Sequence, residues 1–377
     1  MKVVLTGAGG GHFYPLIAVA ERLQEQAVKS KILDSEIFFL SDKEYNKELL
    51  LNKKIKFIKI PAGKMRLYFS FKNFLDPLKS ILGFFVALFK LFTIYPDVVF
   101  AKGGYASMPV VFAAKVLFIP IVIHESDSAP GRTNLIASKL AKRVAVSYKE
   151  AAKYFNLKKT AYTGQPIMKK YLPSKEQLEK KVFDAKRGVL HSNNARKNIL
   201  VLGGSQGSET INNVLLESLP ELLEKYNIIH QVGDNNYQNI RIASEILLKD
   251  NPDRENYHFF AFGELAKYYE ISDLCVTRAG STLFELSAWG IPSLVIPITK
   301  SNNNHQMTNA YIFKNAGCSS VIEETNLKKN IFTSTIDLIL EDQKKYEIIQ
   351  ANNINNFKKD AAETIADEII KISLSHH

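Results

Sequence analysis

The sequence predicts an α/β fold built from two doubly wound, Rossmann-like domains. Three observations lead there. A short apolar strand, a glycine turn and a helical pattern open the chain at residues 2–23, and the same design restarts near residue 198. Between the two openings, and after the second, apolar runs alternate with helical spacings, as parallel sheets covered on both faces require. A chain of 377 residues is long for one domain and comfortable for two, each with its own core. In such folds ligands sit outside the carboxyl ends of the strands, so the two sets of strand ends are expected to face each other across a cleft.

Residues 2–6 read as the first strand and Gly7-Ala8-Gly9-Gly10-Gly11-His12 as its turn, after which Leu16, Val19, Ala20 and Leu23 recur at helical spacing. A glycine turn before a helix offers free N–H groups and a positive dipole end to a phosphate. The dinucleotide fingerprint is excluded because His12 stands where its third glycine belongs, and a P-loop because no Lys-Ser/Thr follows. His12, at the mouth of the loop, is a candidate functional residue. Strands follow at 36–40 and 55–60. Residues 64–94 depart from the pattern, being apolar and aromatic with Lys64, Arg66, Lys72, Lys79 and Lys90 against a single acid, Asp76. The unbroken apolar run 81–89 is shorter than the ~20 residues of a membrane span. We expect a helix over 78–92 with its inner face in the core, and an exposed apolar patch at 65–74 that lies on a membrane.

Strands at 97–101, 119–124, 144–147 and 160–163 complete the first sheet. The first of them ends in Lys102-Gly103-Gly104-Tyr105, the second in His124-Glu125-Ser126-Asp127 and a loop running to Asn134. Gly164-Gln165-Pro166 and a lysine-rich stretch to 197 mark the boundary, giving a first domain of 1–163 and a second of 164–357. The second half has strands at 198–202, 228–232, 257–261, 274–276 and 293–298. Its opening turn is Gly203-Gly204-Ser205-Gln206-Gly207-Ser208. The most informative stretch is 276–309. There a strand ends at Arg278-Ala279-Gly280-Ser281, and a helix carrying Leu283, Leu286 and Trp289 is stopped by Gly290 and Pro292. The start of that helix suits a phosphate, and Glu285, one turn further in, suits a sugar's hydroxyl pair, which together spell a nucleotide. A last helix at about 358–372 has no strand after it and is expected to pack back on the first domain.

Composition narrows the function classes. Cys275 and Cys318 lie in apolar settings and make no disulfide framework. Residues 1–163 hold 25 Lys+Arg against 12 Asp+Glu, a net +13, whereas the remainder nets −2, so the whole excess of +11 lies in the first domain. An anionic partner is implied, nucleic acid or an anionic membrane surface. No basic platform interleaved with aromatics is present, which disfavours nucleic acid. No D-x-D triplet and no ligand-spaced His/Cys/Asp/Glu cluster occurs, so neither metal nor cofactor is expected.

Six blocks occur in order: Gly9-Gly10-Gly11-His12; Gly103-Gly104-Tyr105; His124-Glu125 with Pro130-Gly131 and Thr133-Asn134; Gly203-Gly204-Ser205-Gln206-Gly207; Arg278-Ala279-Gly280 with Glu285; and His305-Gln306 with Asn309. Together they closely resemble the MurG family, the bacterial transferases that add N-acetylglucosamine to lipid I to form lipid II for peptidoglycan. The resemblance runs from residue 2 to about 323. It implies a GT-B fold, UDP-N-acetylglucosamine as donor, inversion at the anomeric centre, and a peripheral enzyme on the cytoplasmic face of the cell membrane. It further implies that Ser205 and Gln206 lie by the donor diphosphate with Ala279, Gly280 and Ser281. Glu285 would hold the ribose, Phe262 and Gly263 the uracil, and His305 and Gln306 the sugar. Gly10, Gly11, His12, Gly103, Gly104, Tyr105, Asp127 and Asn134 would take the lipid I acceptor.

The general base is sought among His12, His124, Glu125 and Asp127. His12 leads because an unperturbed imidazole titrates near ~6.5. Three positions depart from the family. Ser126-Asp127 replaces Gln-Asn, Met168 replaces an arginine whose charge Lys169 would have to supply, and Asn304 replaces an acid. The rival readings are a GT-B transferase acting on another membrane lipid and a UDP-sugar epimerase. The first would differ in the acceptor loops, and the second would not need the apolar, basic stretch 64–94.

Overall fold

A computed structural model describes residues 1–32, 34–63, 72–186, 196–204, 207–263, 265–299 and 304–375, with side chains from 76 onward in the helix that begins at 72. The chain divides into two compact units, Met1–Lys169 with Lys358–His377, and Lys170–Phe357.

The first unit runs β1 (Lys2–Thr6), α1 (Gly10–Lys29), β2 (Glu36–Ser41), α2 (Lys47–Asn52), β3 (Lys56–Lys59), α3 (Lys72–Ile94), β4 (Val98–Ala101), α4 (Ser107–Val116), β5 (Ile121–Glu125), α5 (Arg132–Leu140), β6 (Arg143–Val146) and β7 (Thr160–Tyr162). The second runs α6 (Lys175–Lys186), β8 (Lys197–Leu202), α7 (Glu209–Leu222), β9 (Tyr226–Gln231), α8 (Tyr237–Leu247), β10 (Tyr257–Phe260), α9 (Ala266–Ile271), β11 (Leu274–Thr277), α10 (Thr282–Ala288), β12 (Ser293–Val295), α11 (His305–Asn315), β13 (Ser319–Val321), α12 (Lys329–Leu340) and α13 (Gln343–Asn356). The chain then returns to the first unit as α14 (Ala361–Leu374).

Both sheets are wholly parallel. Their orders are β3-β2-β1-β4-β5-β6-β7 and β10-β9-β8-β11-β12-β13. In each, the strand order reverses at the first strand of the unit, between β1 and β4 and between β8 and β11. These are the switch points at which open α/β sheets bind ligands. The central strands are apolar from end to end because helices cover both faces. Val3, Val4, Leu5, Val98, Val99 and Phe100 are fully buried, as are Ile199, Leu200 and Val201.

Two features were not read from the sequence. β13 has only three residues, Ser319-Ser320-Val321, two of them polar, and gives no apolar run. β12 stops at Val295, where the chain leaves the sheet with Ile296 still buried.

α3 is longer than expected. The 19 residues Asp76–Ile94, with mean hydropathy 1.7, are long and apolar enough to cross a membrane by length and composition. The helix is nevertheless docked. Ala87 and Leu91 are fully buried against the unit, α3 packs on α4, and Gly83 lets it close on Pro61, whose carbonyl oxygen lies 1.8 Å from where a Cβ would sit. Its opposite face is bare, with Leu78, Ile81, Leu82, Phe85, Phe89 and Phe92 each more than half exposed. The patch expected at 65–74 falls outside the described residues and side chains, so the apolar surface that can be described belongs to the helix. α14 lies on α1, where Gln26 donates to Glu363 at 3.0 Å, and Arg143 at the start of β6 pairs with Glu368.

Candidate active site

In the first unit, the turn after β1 carries α1 out of the sheet. Gly9 has φ +88°, a conformation open to glycine, and α1 starts at Gly10 without a side-chain cap. A Cβ added at Gly10 or Gly11 would meet nothing within 4 Å, and both residues stand in the first turn of α1, the end of a helix that suits an anion. The turn after β4 closes against this loop. Ala8 N–H donates to the Gly103 carbonyl, and a Cβ on Gly104 would come within 2.8 Å of Ala8. Gly103, at φ +95°, is covered by Asn134, whose Oδ1 lies 2.7 Å from where a Cβ would be.

The charges around these loops are arranged tightly. Lys102 is fully buried and donates from Nζ to Ser126 Oγ. Burial pushes its pKa down to about 8, against the pull of Glu125 and Asp127. His12 is held down to about 4, first by burial and then by the Lys102 ammonium, and its buried Nδ1 has no hydrogen-bond partner among the described residues. The imidazole is therefore neutral at pH 7, and the titration near 6.5 expected from the sequence is displaced by two local causes.

Glu125 is buried at the end of β5 with both oxygens engaged. Oε1 accepts the Asp127 N–H at 2.9 Å, and Oε2 accepts the Gly131 N–H at 3.1 Å and Asn134 Nδ2 at 2.9 Å. It braces the 126–134 loop, whereas Asp127 is only partly buried. His124 is buried, its pKa kept well below the usual value by burial, and Nε2 is bound to the Gly164 carbonyl at 3.0 Å. Tyr105 donates its hydroxyl to Asp42.

In the second unit, Gly203, Gly204 and Gly207 shape the turn after β8. Gly204 and Gly207 have positive φ, and a Cβ on Gly207 would sit 2.3 Å from the Val232 carbonyl oxygen. Ser208 caps α7 by accepting the Ile211 N–H. Ser205 and Gln206 lie outside the described residues. After β11, Ala279 is buried, nothing crowds the space beside Gly280, and Ser281 precedes α10 without a side-chain cap. Glu285, in the first turn of α10, accepts the Tyr269 hydroxyl at Oε2, 2.6 Å away, and burial raises its pKa to about 7. Its other oxygen has no protein partner among the described residues.

Phe262 is half-exposed in the turn after β10, and Gly263 sits close to the Phe260 ring. His305 opens α11. Gln306 reaches back to accept the Ile298 N–H at 3.0 Å, and Asn309 donates to the Ala279 carbonyl. Lys169 stands apart from the other residues assigned to the donor. It belongs to the first unit and reaches Glu25 on α1, with its N–H given to Glu21.

Four residues of these sites carry no sequence signal of their own: Lys102, Asp42, Tyr269 and Glu324. Glu324 pairs with Arg278 at 2.7 Å and accepts both the N–H and the hydroxyl of Thr299, while Arg278 also donates to the Ile296 carbonyl and to Ser208. That network fixes the segment after β12 against the end of β11. Among the described residues, no group of three or more His, Cys, Asp or Glu side chains is placed to hold a metal ion.

The glycosyltransferase family 28 N-terminal domain matches residues 3–146, and the family's C-terminal domain matches residues 198–365. The chain is 33% identical over 377 residues to the UDP-N-acetylglucosamine--N-acetylmuramyl-(pentapeptide) pyrophosphoryl-undecaprenol N-acetylglucosamine transferase of Clostridium tetani, spanning 98% of this chain and 97% of that one. It is 33% identical over 351 residues to the transferase of the same name from Treponema denticola, spanning 88% and 86%. Among solved structures, Acinetobacter baumannii MurG aligns with a TM-score of 0.74 at 24% identity, over 98% of this chain and 99% of that one. The UDP-GlcNAc 2-epimerase of Neisseria meningitidis aligns at 0.68 and 18%, over 98% and 100%. Both structural likenesses, at such identities, speak to the fold alone.

Proposed function

Because the chain belongs to glycosyltransferase family 28, and within it to the transferases that act on N-acetylmuramyl-(pentapeptide) pyrophosphoryl-undecaprenol, we infer that it moves N-acetylglucosamine from UDP-N-acetylglucosamine onto lipid I. The product is lipid II for peptidoglycan, and the architecture is GT-B. The carrying observation is the likeness to those transferases over nearly the full length of both chains. A UDP-sugar epimerase is supported only by likeness of fold.

In our reading the second unit takes the donor. The open space beside Gly204 and at the start of α10 after Gly280 suits a diphosphate, and the Glu285 oxygen that Tyr269 does not engage suits the ribose hydroxyls. Phe262, Gly263, His305 and Gln306 take the uracil and the sugar. The leaving UDP is then stabilised by backbone N–H groups and helix starts. The first unit takes lipid I, its diphosphate at Gly10, Gly11, Gly103 and Gly104. His12 accepts the proton of the attacking hydroxyl, because its imidazole is neutral and its buried Nδ1, beside the open loop, has no partner among the described residues. Glu125 is set aside as base by its three N–H donors, and Asp127 is the reserve. The enzyme sits peripherally on the cytoplasmic face of the membrane, held by the bare face of α3 and the basic first unit.

The test is incubation with radiolabelled UDP-N-acetylglucosamine and a short-chain lipid I analogue. A lipid-linked disaccharide is expected. Free N-acetylmannosamine or UDP-N-acetylmannosamine in its place would point to the epimerase. For the base, His12→Ala should depress kcat and abolish the acidic limb of its pH profile. A near-normal kcat at saturating acceptor would move the role to Asp127.

A further inference from the structure

Asp42, in the turn after β2, lies on no motif, yet it joins three loops. Tyr45 donates its hydroxyl to Oδ1 at 2.8 Å, and Tyr105, from the turn after β4, donates to Oδ2 at 2.5 Å. The two hydroxyls thus meet on one carboxylate, with the backbone of Gly9, the residue at positive φ before α1, close to the hydroxyl of Tyr45. Beside them, Ser41 donates to the Gly7 carbonyl at 2.6 Å.

The ring of Tyr45 is fixed from below by Phe13 in the first turn of α1 and by Phe39 on β2, with centroids 5.9 and 6.3 Å away. Tyr45 itself holds φ +55°, a left-handed conformation that costs a non-glycine residue of order 1 kcal/mol or more and persists where its surroundings over-determine it. β2, β1 and β4 are neighbours in the sheet, so their turns emerge side by side at the switch point. A carboxylate accepting two phenolic hydroxyls ties all three together, and hydrogen bonds to a charged group are the stronger kind.

We propose that Asp42 is a positioning residue for the acceptor: through Tyr45 and Tyr105 it sets the spacing between the glycine loop at 7–12 and the turn at 102–105. The proposal rests on the reading that these loops bind lipid I. Asp42 touches no reacting atom, and its work is to keep the two loops from parting before the anionic acceptor arrives, so that binding does not have to order them.

Initial rates with UDP-N-acetylglucosamine and a short-chain lipid I analogue test it in the wild-type chain, Asp42→Ala, Tyr45→Phe, Tyr105→Phe and the combination Asp42→Ala/Tyr45→Phe. KM for the acceptor should rise about tenfold in Asp42→Ala, the scale of one lost hydrogen bond to a charged group, while KM for the donor stays as it was. Tyr45→Phe removes a single oxygen and should raise acceptor KM in the same direction. It therefore keeps the test decisive if Asp42→Ala folds poorly. The combined variant should be no worse than Asp42→Ala alone, since both break one chain of bonds. Acceptor KM unchanged in Tyr45→Phe, equal losses for donor and acceptor, or fully additive losses in the combination would each overturn the clamp. A wild-type chain that makes no lipid-linked disaccharide would overturn the functional reading first, and the clamp with it.

Discussion

His12 stands uncharged at the glycine turn after β1 because burial and the Lys102 ammonium both disfavour its cation. A base must be unprotonated to act, so with His12 in that role we predict that the acidic limb of kcat/KM, which reports the free enzyme, lies near pH 4. Lys102→Met removes one of the two causes and leaves the burial. The limb should then move to higher pH, and a limb that stays in place would show that the Lys102 charge does not act on the base. Glu285 behaves in the opposite sense. Burial raises it to about 7, and in the proposed ribose site the charged form is the one that would accept the hydroxyls. UDP affinity by calorimetry should therefore fall as pH drops through about 7. Tyr269→Phe removes a donor that favours the charged form, so the fall should begin at higher pH. A pH-independent dissociation constant would remove Glu285 from the ribose site. The place of Glu285, one turn into a helix after a Gly-Ser-Thr turn, was legible in the sequence because that pattern is local. Tyr269, Lys102 and Asp42 were not, because each is defined by partners on other strands' turns, and Glu125 was visible as a residue while its bracing of the 126–134 loop was not.

At the scale of elements, the sequence was most readable where chemistry is repetitive. Central strands such as Lys2–Thr6 and Lys197–Leu202 are apolar runs bounded by glycine turns, and they sit within a residue of where the pattern puts them. Edges were harder, since β13 pairs through its backbone and needs little from Ser319 and Ser320. α3 shows a different limit. Its composition is apolar all round, so periodicity alone could not say which face the unit would cover. Gly83 decides it, being the position at which the helix backbone approaches Pro61 and α4. We predict that Gly83→Ala destabilises the first unit by the ~1–3 kcal/mol typical of overpacking, because the new methyl must displace a carbonyl and not a flexible side chain. Thermal or denaturant unfolding of the variant measures it, and a midpoint equal to wild type would mean that α3 yields freely. The UDP affinity of the second unit should be untouched, which separates a local effect from general misfolding.

Over the whole molecule, charge and apolar surface fall on the same unit. Met1–Lys169 with Lys358–His377 holds 29 basic and 16 acidic side chains, a net +13, whereas Lys170–Phe357 nets −2. The bare face of α3 belongs to the positive unit, and Phe118, beyond α4 with which α3 packs, is also strongly exposed. Apolar side chains at such exposure on a folded unit favour a bilayer interface, and cations around them favour an anionic one. Each lysine or arginine near the surface contributes ~1 kcal/mol at low salt and less as salt rises. The two terms can be separated. Cosedimentation with vesicles containing phosphatidylglycerol should exceed that with neutral vesicles and weaken with added salt, whereas Phe85→Ser/Phe89→Ser should lower binding to both kinds at every salt concentration. Both side chains point away from the unit, so folding and UDP affinity should hold. Equal binding of neutral and anionic vesicles at low salt would remove the electrostatic term. Full binding by the double variant would move the contact off α3 and onto another part of the basic unit.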